Sequence, residues 1–151
     1  IILDFKIKKT MKNVDFYLHF NGNAEKAMNF YRKVFGGEFI SVQRYKDVPG
    51  SEKMCDEDRE KMVHISLRLT DGTSLMASDV VTRMDDKVVF GNNYHICLHS
   101  NSEKEADKLF SLLTEDGKIE MPMNKTFWGA YFGMCVDQFG VLWMISYADA
   151  K

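Results

Sequence analysis

The chain has 151 residues, of which 45% are hydrophobic and 13% aromatic, and its formal net charge is -2 at pH 7. This length is typical of one domain, and this much apolar material can build a core, which excludes an intrinsically disordered protein. The weakly acidic balance excludes binding through a strongly basic surface, so we expect no nucleic-acid partner.

The cysteines and the hydropathy pattern limit the protein class further. Cys55, Cys97 and Cys135 are far apart and form no Cys-x-x-Cys pair, which argues against a disulfide framework and a structural zinc site. No apolar run approaches the roughly 18 residues that a membrane-spanning helix needs, and no signal-peptide pattern opens the chain. We therefore expect a cytoplasmic protein without a membrane partner.

The chain begins with a short basic cluster, Lys6, Lys8, Lys9 and Lys12, within which Met11 lies. Termini are often poorly ordered, and a methionine at this point is typical of a start site. We expect residues 1–11 to be an N-terminal extension and residues 12–151 to form a single domain.

The first half of the domain begins with strand character over residues 14–20, followed by the turn signal Asn21-Gly22-Asn23. Apolar residues then recur at helical spacing from Ala24 to Phe35, and Gly36-Gly37 marks the end of that helix. Three more segments have strand character, near 38–45, 61–69 and 73–78. The order predicts one βαβββ module over about residues 12–80.

The second half repeats this order. Residues 93–99 have strand character, and Ser102 with Glu105 forms a capping box for a helix that Gly117 ends. Strand-like segments follow near 118–121, 130–136 and 141–147. The repetition predicts an α+β fold of two βαβββ modules, the second over about residues 92–148.

Two loop segments have contrasting patterns. The charged stretch 46–60 contains the acidic run Asp56–Glu60, which we interpret as a solvated connector. The tetrapeptide Asp137-Gln138-Phe139-Gly140 lies between two strand-like segments and predicts a hairpin turn.

Three stretches of the sequence are especially specific: HFNGNAEKAMNFYRKVFGGEF, LMASD and MPMNKTFWGAYFGMCVDQFGVLWMISY. They resemble the PhnB-like branch of the glyoxalase/bleomycin-resistance/dioxygenase (vicinal oxygen chelate) superfamily. The resemblance implies a glyoxalase-like domain in which the mixed sheets of the two modules curl around a cavity. It also implies a homodimer.

Enzymes of this superfamily resemble one another in a divalent metal site built from the first and last strands of each module. The internal register carries these positions onto Phe16, Met76, His95 and Met144. Only His95 has a donor suited to a hard divalent ion, because a phenyl ring has no lone pair and thioethers prefer soft copper. A one-residue slip would offer Asp15 or Tyr17 but would turn the strand's side chains to the opposite face. We therefore expect no metal ion and no other cofactor.

Strand alternation predicts the remaining cavity wall. Beyond the four positions above, the residues that we expect to contact a ligand are His64, Ser66, Arg68, Asp79, Trp128 and Phe132. Several of them have a second interpretation: Asp79 either caps a loop or reaches a ligand, and Trp128 and Phe132 either wall the cavity or belong to the core. His64 and His95 are either catalytic acid–base groups or structural histidines.

This set of side chains suits a small anionic or carbonyl-bearing molecule. The leading hypothesis is a metal-free protein that binds a small molecule in the cavity between the sheets. One alternative is a lyase or dioxygenase-type enzyme that acts on a small carbonyl or vicinal-oxygen compound. Another is a dimeric interaction module with a vestigial pocket. Catalysis stays an open question at this point, because a fold does not define an activity.

Overall fold

A computed structural model describes residues 11–82 and 87–149. Of the basic cluster, Lys6, Lys8 and Lys9 lie outside the described residues, whereas Lys12 is described. The chain divides into two compact units. The first contains the described residues up to Arg32 and from Gly37 to Lys87, and the second contains Lys33–Gly36 and the described residues from Val88 onward. No helix within the described ranges is long and apolar enough to cross a membrane.

The first module follows the predicted order. Its elements are β1 (Phe16–Phe20), α1 (Ala24–Phe35), β2 (Phe39–Arg44), the short helix α2 (Asp56–Glu60), β3 (Met62–Thr70) and β4 (Thr73–Asp79). The strands form a mixed sheet in the order β1-β4-β3-β2, in which only the β1–β4 pair is parallel.

The second module has the same topology. Its elements are β5 (Ile96–His99), α3 (Glu103–Leu113), β6 (Lys118–Lys125), β7 (Tyr131–Val136) and β8 (Leu142–Tyr147). The sheet order is β5-β8-β7-β6, again with one parallel pair, β5–β8. The prediction of an α+β fold with two βαβββ modules is confirmed.

Local signals explain where the second helix begins. The Ser102 hydroxyl accepts a hydrogen bond from the Glu105 backbone N–H at 3.0 Å, which satisfies one of the donors that a helix N-terminus leaves open. The Glu105 carboxylate in turn accepts the Asn101 N–H at 2.6 Å. The sequence pattern therefore identified the correct helix start.

Glycines in the β6–β7 hairpin serve two different purposes. Gly129 has φ +87°, a left-handed conformation that suits a residue without a side chain. Gly133 instead allows close packing, because a Cβ there would lie 2.5 Å from Met123 Sδ and 3.0 Å from a Phe110 ring carbon. The glycines beside Trp128 and Phe132 thus permit a turn and a tight contact with α3.

The acidic run Asp56–Glu60 is not a plain solvated connector, because Asp58 is only 3% exposed. Its carboxylate accepts hydrogen bonds from Lys61 Nζ at 2.7 Å, Thr82 Oγ1 at 3.0 Å and the Thr82 N–H at 3.1 Å. These contacts fasten α2 to the segment that follows β4. Thr82 is distant in sequence and Lys61 follows the acidic run. The composition of the run therefore gave no indication that Asp58 is buried.

We expect the stabilisation that the Asp58 carboxylate provides to be lost at acidic pH. The hydrogen bond from Lys61, helped by those from Thr82, lowers the pKa of Asp58 from 3.8 to about 2. Since the folded-state pKa is depressed, the stabilisation is complete above about pH 4 and is lost as the pH falls toward 2. The shift corresponds to about 2 kcal/mol. In urea unfolding, Asp58→Asn should therefore be less stable than wild type near pH 6, and the difference should shrink near pH 2. A stability difference between wild type and Asp58→Asn that does not change with pH would contradict this prediction.

Candidate functional site

The strand register identifies the helix-free face of the first sheet. Residues that pair across neighbouring strands lie on the same face. The pairs on this face are Tyr17–Met76, His19–Ser78, Ser66–Met76 and Arg68–Ser74. We call this surface the open face of the first sheet. The residues that alternate with them, such as Leu67, Leu75 and Ala77, are fully buried and form the core face.

A cavity of about 470 Å³ lies on this open face. It brings together four of the residues that the sequence predicted, His64, Ser66, Arg68 and Met76. The rest of its lining is Lys12, Asn13, Asp15, Ile40, Ser41, Asp71, Gly72 and Ser74. The predicted alternation of β3 and β4 therefore places these side chains around one shared space.

Arg68 supplies a positive charge to this cavity. The residue is exposed. Its Nη1 donates a hydrogen bond to the Asp71 carbonyl oxygen at 3.4 Å. Among the residues that the structure describes, no carboxylate forms an ion pair with this guanidinium. Most of its N–H donors therefore face solvent or the cavity.

His64 belongs to a small group of aromatic and imidazole rings. The Tyr17 hydroxyl lies 3.2 Å from His64 Nδ1, and the two ring centroids are 5.7 Å apart. Tyr17 also contacts the His19 ring at 5.2 Å between centroids, and His19 Nδ1 lies 3.2 Å from Ser78 Oγ. The hydrogen bond at Nδ1 orients the imidazole of His64.

The prediction that Phe16 faces the cavity is wrong by one position in the strand. Phe16 pairs with Leu75 on the core side, whereas Tyr17 pairs with Met76 on the open face. The alternation within FYLHF contains the signal, because Phe16, Leu18 and Phe20 are apolar and the residues between them carry polar atoms. The similarity between the two halves is clearest in their helices, and it does not constrain the register of their strands.

The open face of the second sheet carries the other predicted residues. Cys97 pairs with Met144, and both His99 and Phe132 pair with Ser146. His95 precedes β5, and its Nε2 lies 2.8 Å from Glu120 Oε2 in β6. These two strands are the outer strands of the sheet and would be about 14 Å apart if it were flat. The contact therefore spans the width of the sheet.

Trp128 and Phe132 contact each other beside this face. Their ring centroids are 6.0 Å apart at an interplanar angle of 67°. Trp128 is 57% exposed, and the neighbouring Phe127 is 99% exposed. Neither Trp128 nor Phe132 is a fully buried core residue.

Asp79 does not line the cavity around Arg68. It is 3% exposed, and its Oδ1 accepts hydrogen bonds from the N–H groups of Gly22 at 3.0 Å and Ala24 at 2.9 Å. Its Oδ2 accepts the Met62 N–H at 2.9 Å. The geometry favours a structural cap over a ligand contact, but the segment that Asp79 caps is the start of α1 and not the loop that follows β4.

Comparison with known proteins identifies the family. The family model described as the glyoxalase/bleomycin resistance protein/dioxygenase superfamily matches residues 13–145. The chain belongs to this superfamily. The match covers both modules, in agreement with the resemblance found in the sequence.

Relatives within the superfamily are similar over nearly their whole length. Protein YjdN of Escherichia coli K12 is 30% identical over 138 residues, which cover 86% of this chain and 91% of that protein. The crystal structure of protein PA1353 from Pseudomonas aeruginosa has a TM-score of 0.78 and 34% identity, with coverage of 90% and 97%. The PhnB protein from Bacillus cereus has a TM-score of 0.70 and 28% identity, with coverage of 89% and 98%. The predicted PhnB-like relationship is confirmed.

The donor set does not fit the divalent metal ion of superfamily enzymes. Met76 pairs with Tyr17 as Met144 pairs with Cys97, so Asp15, not Phe16, corresponds to His95. The Asp15 carboxylate already accepts hydrogen bonds from Asn13 Nδ2 at 2.7 Å and from the Ser74 N–H at 2.8 Å. The two methionines offer thioethers where a hard ion needs oxygen. Within the described ranges, no three His, Cys, Asp or Glu residues are grouped to hold a metal ion.

Proposed function

We propose that this protein binds a small anionic or carbonyl-bearing molecule on the open face of its first sheet, without a divalent metal ion. One observation carries the proposal. The guanidinium of Arg68 lines a cavity of about 470 Å³ and forms no ion pair with any described residue. A cation that lacks an internal partner at the wall of a cavity favours a ligand with a carboxylate or phosphate group.

The formal charges of the lining sum to zero, so the anion proposal depends on the Arg68 guanidinium. Lys12 adds a second positive charge, and Asp15 and Asp71 add two negative charges. The Asp15 carboxylate accepts hydrogen bonds from Asn13 and Ser74, which are neutral donors. The hydroxyls of Ser41, Ser66 and Ser74 line the same cavity and offer donors to an oxygen-rich ligand.

The size of the cavity also favours a small molecule. Ligand pockets in proteins typically enclose about 300–1,000 Å³, and this cavity lies in the lower half of that range. Its wall mixes the apolar side chains of Ile40 and Met76 with polar groups. Such a site can orient a short polar molecule through a few directed contacts.

Arg68→Gln should weaken binding of pyruvate, chosen as a probe because it is both anionic and carbonyl-bearing. Loss of a charge-assisted hydrogen bond costs about 1.5–3 kcal/mol, which corresponds to roughly 10- to 100-fold in the dissociation constant. Isothermal titration calorimetry with pyruvate, acetate and inorganic phosphate measures the change in each dissociation constant. Comparison of the three probes separates the contribution of the carbonyl group from that of the anionic group.

Arg32→Gln is the matched control, because it removes the same charge from the same module. Arg32 lies over the Phe39 ring at 4.8 Å and does not line the cavity. The control should bind each probe as the wild type does. If none of the three probes binds the wild-type protein at millimolar concentration, or if both variants bind equally well, the anion site is contradicted.

An enzyme of acid–base type is the second candidate, favoured by the contact between Tyr17 and His64. If the Tyr17 hydroxyl donates to Nδ1, Nε2 carries the ring proton and can donate a hydrogen bond to a substrate carbonyl oxygen. If Tyr17 accepts, Nε2 is a free base. No described residue forms a hydrogen bond with Nε2. The cavity suits carbonyl compounds in which a base can remove a proton from the carbon next to the carbonyl group.

His64→Gln tests this candidate through exchange of the pyruvate methyl protons in D2O, followed by NMR. In this reaction a proton passes from the methyl carbon to Nε2, and deuterium returns to the enolate. An acid–base residue contributes roughly 100-fold or more to such a step, so the variant should lose at least that factor. An exchange rate that the substitution leaves unchanged would contradict catalysis by His64. Binding without exchange would leave the binding proposal intact.

We also propose a homodimer. Ile40 and Val42 on the outer strand β2 are 53% and 52% exposed, and Ile119 on the outer strand β6 is 52% exposed. Apolar residues on an exposed strand favour coverage by another chain. Sedimentation equilibrium at micromolar concentration tests the proposal, and a monomer would contradict it. Dimerisation with no binding of any probe would support the interaction-module alternative.

A further inference from the structure

Four sulfur-bearing residues lie in register across the second sheet, one on each strand. Cys97 of β5 pairs with Met144 of β8, Met144 pairs with Met134 of β7, and Met134 pairs with Met121 of β6. Paired residues lie on the same face, and neighbouring strands are about 4.8 Å apart. We call these four residues the sulfur row. The flexible methionine side chains can bring their sulfur atoms toward the cysteine.

An imidazole stands beside the cysteine end of this row. His99 is two residues after Cys97 on β5, and its Nε2 lies 3.8 Å from Cys97 Sγ. A metal ion bound at about 2.3 Å from sulfur and about 2.0 Å from nitrogen, with an angle near 120°, separates these donors by about 3.7 Å. The two atoms therefore already have the spacing of ligands that share one ion.

We propose that Cys97, His99 and Met144 bind one soft monovalent metal ion, Cu⁺, on the open face of the second sheet. Thiolate and thioether sulfur select Cu⁺ over hard divalent ions, and imidazole is an accepted third ligand. This site lies on a different sheet from the anion cavity and does not depend on it.

The neighbouring groups limit which side chains can take part. His95 lies on the other side of Cys97 along the chain, but its Nε2 is engaged by Glu120 at 2.8 Å. Cys135 alternates to the core face and is fully buried. Cys97 is exposed, which gives an ion access to its sulfur. Met134, next in the sulfur row, provides a further thioether close to Met144.

Binding has a defined proton balance. The Cys97 thiol releases one proton, and the resulting thiolate neutralises the charge of the bound Cu⁺. The ion must therefore compete with this proton, and affinity should rise with pH.

The test is a titration of the reduced, untagged full chain with Cu⁺ under anaerobic conditions, in competition with the chromophoric chelator bicinchoninate. Ag⁺ followed by native mass spectrometry serves as a redox-inert probe. We expect one ion per chain. Cys97→Ser should weaken binding by at least roughly 100-fold, and Met144→Leu and His99→Gln by roughly 10-fold each. Cys55→Ser, which replaces the other exposed cysteine, should bind as the wild type does.

Three outcomes would overturn the proposal. The first is a Cys97→Ser variant that keeps the wild-type affinity, and the second is a loss of binding in Cys55→Ser. The third is unchanged affinity in both Met144→Leu and His99→Gln, which would mean that a lone thiol holds the ion. Circular dichroism of each variant confirms that it is folded before it is titrated.

Discussion

Asp79→Ala is expected to lower the free energy of unfolding by about 4 kcal/mol. The carboxylate accepts three backbone N–H groups, those of Gly22, Ala24 and Met62, at 3.0, 2.9 and 2.9 Å. Asp79 is 3% exposed and Ala24 and Met62 are fully buried, so water cannot readily replace the lost acceptor. Each buried donor left without a partner costs about 1–3 kcal/mol.

Urea unfolding of three variants measures this effect. Asp79→Asn should be intermediate, because its amide oxygen can still accept the bonds at the start of α1 while its NH₂ group faces the Met62 N–H. Asp71→Ala removes an exposed carboxylate from the turn that precedes β4 and should change stability by less than about 0.5 kcal/mol. A loss of under about 1 kcal/mol for Asp79→Ala would show that other groups satisfy the three donors.

Asp79 also illustrates what the sequence could not predict. Its donors come from the start of α1 and the start of β3. The parallel β1–β4 pairing brings the first to the end of β4, and the antiparallel β3–β4 pairing brings the second. A carboxylate at the end of a strand suits a ligand site and a structural cap equally well until those partners are known. Only the tertiary contacts distinguish the two roles.

The fold was predictable because its signals are local. Helical spacing from Ala24 to Phe35 and the glycines after it are short-range patterns, and they gave the observed bounds of α1. The capping box at Ser102 and the turn at Asp137–Gly140 are of the same kind. The repetition of one element order then predicted the two βαβββ modules.

The residues of the candidate site could be predicted only where the alternation within a single strand was sufficient. Alternation within β3 correctly grouped His64, Ser66 and Arg68 at one cavity. The contact of Tyr17 with His64 also depends on how β1 pairs with β4, which places Tyr17 beside Met76. A pairing between strands that are distant in sequence cannot be derived from the alternation of either one.

The second module also contains a buried carboxylate that accepts several hydrogen bonds, at a different position from Asp79. Asp137 is 4% exposed and lies in the turn between β7 and β8. Its Oδ1 accepts the N–H groups of Phe139 at 2.8 Å and Val141 at 3.1 Å, and its Oδ2 accepts Trp143 Nε1 at 2.8 Å. The carboxylate therefore fixes both the turn and the largest fully buried side chain.

Asp137→Ala should therefore cost about 4 kcal/mol, by the same reasoning as for Asp79. Trp143→Phe removes the indole N–H and leaves space in the core, which should cost about 2–4 kcal/mol. The bond between the two side chains is lost in either single variant, so the double variant should be about 1–2 kcal/mol more stable than the sum predicts. Gln138→Ala, in the same turn but exposed, should stay within about 0.5 kcal/mol of wild type.

A double-mutant cycle in urea unfolding separates the two functions of Asp137. Strict additivity would mean that the indole bond contributes nothing and that Asp137 acts only through the turn. A large loss in Asp137→Ala combined with positive coupling to Trp143 would mean that turn and core form one cooperative unit. Because β8 also carries Met144, a weakened turn would loosen the strand that holds the proposed copper ligand. The Asp137→Ala variant keeps Cys97 and His99. It should nevertheless bind Cu⁺ more weakly than the wild-type protein does, under conditions where the variant remains folded.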